Sequence, residues 1–327
     1  MEYREMIQVK GLCKRFGEIQ AVDQLEFSVR EGEIFGFLGP NGAGKTTTIR
    51  MLVGLLSPDS GSARIDGHDV LREPVRAKQS VGVVPESSNL YGELSALDNL
   101  IYMAQLYGVP KKEWKQRAEE LLKDFNLLDR REGKFQGFSR GMKRRLTIAA
   151  ALVHHPRILF LDEPTTGLDV MGARGLRGVI KKLKEKGVTV FLTTHYIQEA
   201  EELCDRVAII VKGKIRFTDT PDGLKEKVKE TEVLEIQPHP FSPNLLQLME
   251  GVPDVEKTTV VEDRIRFYGA SVHNSVCQIL NRLEAKGIKI LSIRTMVPTL
   301  EDAFVKMTGV DAEAMRADKP MKMGGMG

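Results

Sequence analysis

The chain has 327 residues, enough for about two domains of ordinary size. Apolar residues make up 42% and charged residues 28%, a globular composition with enough apolar material for a core. The 48 basic and 45 acidic side chains leave a net charge of only +3, so no basic excess points to nucleic acid as a partner.

Three cysteines, Cys13, Cys204 and Cys277, lie far apart without metal-ligand spacing. They read as small buried hydrophobes in a reducing compartment, not as a disulfide framework. No run approaches the roughly 18–20 apolar residues that span a bilayer. The opening residues lack the apolar core of a signal peptide. The expectation is a cytoplasmic chain that reaches a membrane only through a partner.

In chain order, the first predicted strand of interest is Ile34 to Leu38, an apolar run without polar alternation. Runs of that kind are buried on both faces of a parallel sheet. It leads into Gly39-Pro40-Asn41-Gly42-Ala43-Gly44-Lys45-Thr46, which matches G-x-x-x-x-G-K-[ST] between a strand and a helix. Glycines let the backbone turn tightly and point successive N–H groups inward, a nest for phosphate oxygens. The helix N-terminus adds favourable partial charge. Lys45 reaches the β- and γ-phosphates, and the Thr46 hydroxyl is a ligand for Mg²⁺. The expected ligands here are the phosphates of a nucleotide and Mg²⁺.

A second strand is expected at Val81 to Val84, followed by a long helical stretch over about 95–153. A third, Ile158 to Leu161, ends in Asp162 and Glu163. Asp162 offers Mg²⁺ a hard oxygen. Glu163, one residue on, is placed to polarise an attacking water. Standing alone the acidic pair reads by default as an ordinary strand-to-turn pair; behind a phosphate loop it is the expected second half of a nucleotide site. Strands at Val188 to Leu192 and Val207 to Val211 complete an α/β domain spanning 1–221, with a helical part over about 88–153.

After Thr220-Pro221-Asp222-Gly223 the pattern changes, and residues 222–309 read as a small α+β domain. Strands are expected around Val233 to Ile236, Arg264 to Tyr268 and Ile288 to Ile293. Val272, Val276, Ile279, Leu280 and Leu283 recur at helical spacing and make one apolar face. Residues 310–327 have no periodicity and are expected to form a disordered tail.

Further motifs narrow the class. Phe138-Ser139-Arg140-Gly141-Met142-Lys143 precedes a helix that leads to the acidic strand, and resembles the LSGGQ signature of ATP-binding cassette (ABC) proteins. Gly167-Leu168-Asp169 resembles their D-loop, and His195 their switch histidine. The chain thus resembles the ATPase subunit of an ABC transporter over about residues 5–220. Within that superfamily it is similar to the antibiotic-resistance, daunorubicin-type exporter ATPases. Val297-Pro-Thr-Leu-Glu-Asp-Ala-Phe and the small domain resemble the C-terminal extension of that group.

The resemblance implies a P-loop NTPase fold with a helical subdomain, ATP as the nucleotide, and the following roles. Gly39, Pro40, Asn41, Gly42, Ala43, Gly44, Lys45, Thr46 and Thr47 form the phosphate loop. Phe16 stacks on adenine, against the alternative of a core aromatic at a strand end. Thr46 and Asp162 hold Mg²⁺, Glu163 is the catalytic carboxylate, and His195 senses the γ-phosphate. Asp169 lies at a dimer seam, and Ser139 and Gly141 reach the ATP of a second subunit. It further implies head-to-tail association of two copies, or of this chain with a related one, and a separate membrane permease.

Two departures stand out. Arg140 and Met142 replace a glycine and a glutamine of the signature. Glu86 occupies the glutamine position of the Q-loop; its carboxylate can approach Mg²⁺ but cannot donate as an amide does, and its alternative is a solvated loop acid. Tyr91, Tyr102 and Tyr107 mark either a permease-docking face or plain packing of the helical part. A soluble ABC ATPase working on DNA ends or the ribosome is the competing function. It fits less well, since neither a long coiled coil nor a second cassette is present.

Overall fold

The computed structural model describes residues 3–228, 232–242 and 244–310. They fall into two compact units, divided between Thr218 and Asp219. The tail expected over 310–327 lies, from residue 311 onward, outside the described residues.

The first unit opens with β1 (Glu5–Phe16) and β2 (Ile19–Arg30), followed by β3 (Ile34–Leu38), α1 (Lys45–Leu52), β4 (Ser60–Ile65) and β5 (His68–Asp69). Then come α2 (Pro74–Gln79), β6 (Val81–Val84), α3 (Ala96–Leu106), α4 (Trp114–Asp124), α5 (Arg140–Ala151) and β7 (Ile158–Asp162). α6 (Val170–Glu185), β8 (Thr189–Thr194), α7 (Ile197–Leu203), β9 (Arg206–Val211) and β10 (Lys214–Asp219) follow.

Six strands form one sheet in the order β10-β9-β3-β8-β7-β6, and its members from β9 to β6 run parallel. Every residue of β3, β7 and β8 is buried, which explains their unbroken apolar runs. β8 starts one residue later than its apolar run suggested and continues through Thr193 and Thr194, because two threonines accept the strand geometry readily.

A second, antiparallel sheet has the order β2-β1-β4-β5, an arrangement the sequence reading did not anticipate. Its inner face meets the parallel sheet through aromatic rings. Phe27 of β2 lies 5.6 Å from Phe35, 5.5 Å from Phe37 and 5.9 Å from Phe191. Fully burying a phenylalanine of this kind stabilises the fold by about 1.5–3 kcal/mol.

The helical stretch resolves into α3, α4 and α5 with short connections. Buried Asn99 pins the loop before α3: its Oδ1 accepts from Tyr91 N at 2.9 Å, and its Nδ2 donates to Tyr91 O and Ser95 O at 3.0 Å each. No helix among the described residues is long and apolar enough to cross a membrane.

The second unit holds α8 (Pro221–Glu226), β11 (Glu232–His239), α9 (Leu245–Leu248), β12 (Lys257–Val261), β13 (Arg264–Gly269), α10 (Val276–Glu284), β14 (Lys289–Met296) and α11 (Leu300–Thr308). Its four strands make an antiparallel sheet in the order β12-β13-β11-β14. Val272, Ile279 and Leu283 join Leu234, Ile236, Ile265 and Phe267 in its core, with Val276 and Leu280 packed at the margin. That is the apolar face read from the helical spacing.

Candidate functional site

The parallel sheet puts three chain segments at one edge. β3, β8 and β7 are neighbours running the same way, with Leu38 opposite Thr194 and Asp162 opposite Thr193. The residues just past their carboxyl ends, Gly39, His195 and Glu163, therefore meet on one rim, where open α/β sheets bind ligands.

The loop after β3 is shaped by close backbone approach. Gly44 has φ of 103°, and a Cβ there would stand 2.4 Å from the carbonyl oxygen of Ala21. At Gly39 a Cβ would come within 2.2 Å of Ile210 O. Neither position tolerates a side chain. Ala43 N donates to Pro40 O at 3.1 Å, and α1 starts directly from Gly44 as its N-cap. Asn41 and Gly42 are exposed at the tip, while Thr46 and Thr47 in the first turn of α1 are half-buried.

Lys45 is buried, and its Nζ donates to Gly39 O at 2.6 Å and to Pro40 O at 3.2 Å. It also pairs with Glu163 Oε1 at 3.0 Å. Glu163 Oε2 lies 2.8 Å from His195 Nδ1. A carboxylate can only accept there, so Nδ1 carries the proton. Burial alone would raise the Glu163 pKa; the His195 hydrogen bond and the Lys45 charge outweigh it and hold the carboxyl below its ordinary value.

Glu163 has φ of 47°, a left-handed conformation that a non-glycine residue adopts only when its surroundings impose it. Its N–H donates to both Thr193 O (3.2 Å) and Thr193 Oγ1 (3.1 Å). Thr193 Oγ1 in turn donates to Asp162 Oδ1 at 2.6 Å. Thr193 thus orients both acidic residues, a role the sequence reading missed. Its only signal is a threonine two residues before the histidine.

Thr46 Oγ1 meets Asp162 Oδ1 at 3.2 Å. Two hard oxygens converge, and among the described residues no group of three or more His, Cys, Asp or Glu could hold a metal by itself. That donor set suits Mg²⁺, which keeps several waters and is completed by phosphate oxygens. Glu86 is exposed; its backbone carbonyl accepts from Arg144 at 3.3 Å.

The other expected residues lie at different places on the first unit. Phe16, at the end of β1, is 48% exposed, so it is not a core aromatic. Lys14 Nζ sits 5.7 Å from its ring centroid. Ser139 caps α5, accepting from Met142 N at 3.3 Å, and Gly141 has open space where a Cβ would stand. Asp169 caps α6, accepting from Gly172 N at 2.6 Å. Arg140 donates to Gly167 O at 3.4 Å and so links the turn before α6 to the start of α5.

Comparison with known proteins adds independent findings. The sequence profile described as ABC transporter matches residues 22–166. The linearmycin resistance ATP-binding protein LnrL of Bacillus subtilis (strain 168) is 36% identical over 93% of this chain and 98% of its own length. The daunorubicin/doxorubicin resistance ATP-binding protein DrrA of Streptomyces peucetius is 42% identical over 71% of this chain and 70% of its own. Among solved structures, a dimeric post-hydrolysis state of an ATP-binding cassette bound to ADP and Pi matches with a TM-score of 0.60 at 28% identity. It covers 66% of this chain and 98% of that one.

Proposed function

The chain belongs to the ABC transporter family as an ATP-binding, ATP-hydrolysing subunit that drives transport, and from that premise we propose how its residues divide the work. The reading rests on the convergence of Lys45, Asp162, Glu163 and His195 on one sheet edge.

The phosphate loop, residues 39–47, cradles the phosphates of ATP with backbone N–H groups and the Lys45 ammonium. Phe16 offers its exposed ring to the adenine. Thr46 and Asp162 would hold Mg²⁺, which would neutralise developing charge on the phosphates; Glu86, on the neighbouring loop, would be a further oxygen donor. Glu163 orients and polarises the attacking water, since a carboxylate kept ionised is a competent acceptor of its proton. His195 fixes one carboxylate oxygen and meets the γ-phosphate with its ring. Ser139 and Gly141 serve the ATP of a second copy, and Asp169 lies at the seam between copies.

The work drives export, since resistance conferred by a transport ATPase means outward movement of the toxic compound. A separate integral-membrane permease carries the cargo, and the chain sits against it on the cytoplasmic face of the membrane. The exposed aromatic rim of the helical part is the candidate contact. Tyr91 and Tyr102 stack edge-on at 5.1 Å, and Tyr107 lies flat on His154 at 3.9 Å. Tyr107 and its neighbour Leu106 are 39% and 63% exposed.

Glu163→Gln tests the assignment. The variant is expected to bind ATP with near-normal affinity and to hydrolyse it about 10²–10⁴-fold more slowly, the usual contribution of a positioned base. Near-normal turnover would reject Glu163 as the catalytic carboxylate.

A further inference from the structure

Arg144, on α5 five residues after Ser139, is a buried arginine that the roles above leave unused. Its guanidinium donates to four backbone carbonyls and to no side chain among the described hydrogen bonds. Nε bonds Pro164 O at 2.9 Å, and Nη2 bonds Asp162 O at 2.6 Å. Nη1 bonds Pro85 O and, at 3.3 Å, Glu86 O. Two of these carbonyls belong to the residues on either side of Glu163. The other two belong to the turn after β6.

The geometry points to Arg144 as the positioning residue that holds the left-handed kink at Glu163 and ties it to the 85–86 turn and the Ser139 helix. Three observations carry this. First, Glu163 sits at φ of 47°, so its orientation depends on what grips the chain beside it. The fork of one planar guanidinium grips Asp162 and Pro164 together, and no other side chain type reaches both with fixed angles. Second, a buried cation is costly unless its donors are satisfied. Burial disfavours its charge, and this is offset in part by Asp162, Glu199, Glu86 and Glu163 nearby, while main-chain oxygens take its donors. Such an arrangement fixes backbone in place, whereas a side-chain ion pair would not. Third, α5 is tied to the same turn a second time, through Ser88 Oγ and Thr147 Oγ1 at 2.8 Å. Thr147 lies one helical turn from Arg144, so the helix and the turn move as one piece.

The consequence is mechanical. A displacement of the 85–86 turn, or of the helix that begins at Ser139, pulls on the carbonyls flanking Glu163 and re-aims its carboxylate. Arg144 does not touch nucleotide. It sets whether the water-orienting oxygen is in place.

This inference rests on Glu163 being the catalytic carboxylate, so the test runs Glu163→Gln and Arg144→Lys side by side in the full chain. Lysine keeps the charge but cannot span the four carbonyls. Arg144→Lys is expected to keep ATP affinity within about threefold, as measured by equilibrium titration, while kcat falls about 100-fold, the effect of misplacing a reacting group by about 1 Å. Wild-type kcat in Arg144→Lys, or a parallel collapse of affinity and kcat, overturns the positioning role. Arg144→Gln, which buries no charge and retains two donors, is the second variant should the lysine prevent folding. It is expected to show the same split, and full turnover in it likewise overturns the role. Normal turnover in Glu163→Gln is a distinct result: it removes the carboxylate assignment itself.

Discussion

Glu199, on α7 four residues after His195, is 1% exposed and carries a carboxyl in a nearly apolar setting. Burial pushes its pKa up from 4.5 to about 7; the nearby Thr194 and Thr165 hydroxyls pull the other way without closing a well-formed hydrogen bond, and the nearby Glu163 charge adds to the rise. The folded chain therefore binds this proton more tightly than the unfolded chain does. Stability from this group is greatest below pH 4.5 and falls as pH rises toward about 7, where the buried carboxyl must ionise. Glu199→Gln removes that slope. The stability gap between the variant and the wild type is expected to grow in the variant's favour by about 2–3 kcal/mol from pH 4.5 to pH 8. Urea denaturation at several pH values measures it, and parallel curves for the two proteins would show that Glu199 is not the titrating group. No periodicity marks this residue. It sits in a short helix of mixed polarity, and only the packing of α7 against β3, β8 and α6 buries it. The placement of residues carried by a local motif was legible from the sequence: Lys45, Asp162, Glu163 and His195 stand where strand ends meet. Arg144, Thr193 and Glu199 were not, because each acts through partners 18 to 59 residues away or through burial.

At the scale of single elements, α11 shows what a motif can hide. Val297-Pro-Thr-Leu-Glu-Asp-Ala-Phe resembled a family signature without a physical account. The structure supplies one. Thr299 and Asp302 form a reciprocal capping box: Asp302 Oδ2 accepts from Thr299 N at 2.8 Å, and Thr299 Oγ1 accepts from Asp302 N at 3.3 Å. The other carboxylate oxygen, Oδ1, accepts from Tyr268 OH at 2.8 Å and from Arg266 at 3.4 Å. Arg266 continues to buried Glu235 at 2.9 Å, which also takes Arg264 at 2.7 Å. One aspartate thus starts a helix and anchors it to β13, while leaving Arg266 and Tyr268 satisfied. Asp302→Ala strips the cap, leaves the Tyr268 hydroxyl without its acceptor and leaves Arg266 paired through Glu235, so it is expected to destabilise the second unit by about 2–4 kcal/mol. Amide exchange of β11 and β13 should accelerate while that of β3 and β7 stays unchanged. Unaltered exchange throughout would make the motif dispensable for folding. The antiparallel sheet of β1, β2 and β4 carried only a short, broken signal: Ile7 and Val9 alternate with polar residues in β1, as do Leu25, Phe27 and Val29 in β2, but register shifts in β1 interrupt the alternation after Val9.

At the scale of the whole molecule, two groups of expected ATP-site residues stand on different parts of one copy. Lys45 and His195 each meet the Glu163 carboxylate on the sheet edge, whereas Ser139 caps α5 and shares no described hydrogen bond with that cluster. If two copies close head to tail, each ATP lies between Lys45 of one and Ser139 of the other, and extra contacts exist only in the closed pair. ATP then shifts the open–closed balance by that difference in affinity. Complementation tests it. Lys45→Ala and Ser139→Ala are each expected to be inactive by themselves, since every site in either homodimer lacks one half. Mixed in equal amounts, half of the dimers pair unlike copies, and each such dimer has one site with both Lys45 and Ser139. With sites turning over independently, about a quarter of wild-type activity should return. If each copy instead completed its own site, every site in the mixture would still lack one residue, and activity would stay at the mean of the two parents. Recovery would establish that the catalytic unit is the pair, with Ser139 of one copy serving the nucleotide held by Lys45 of the other.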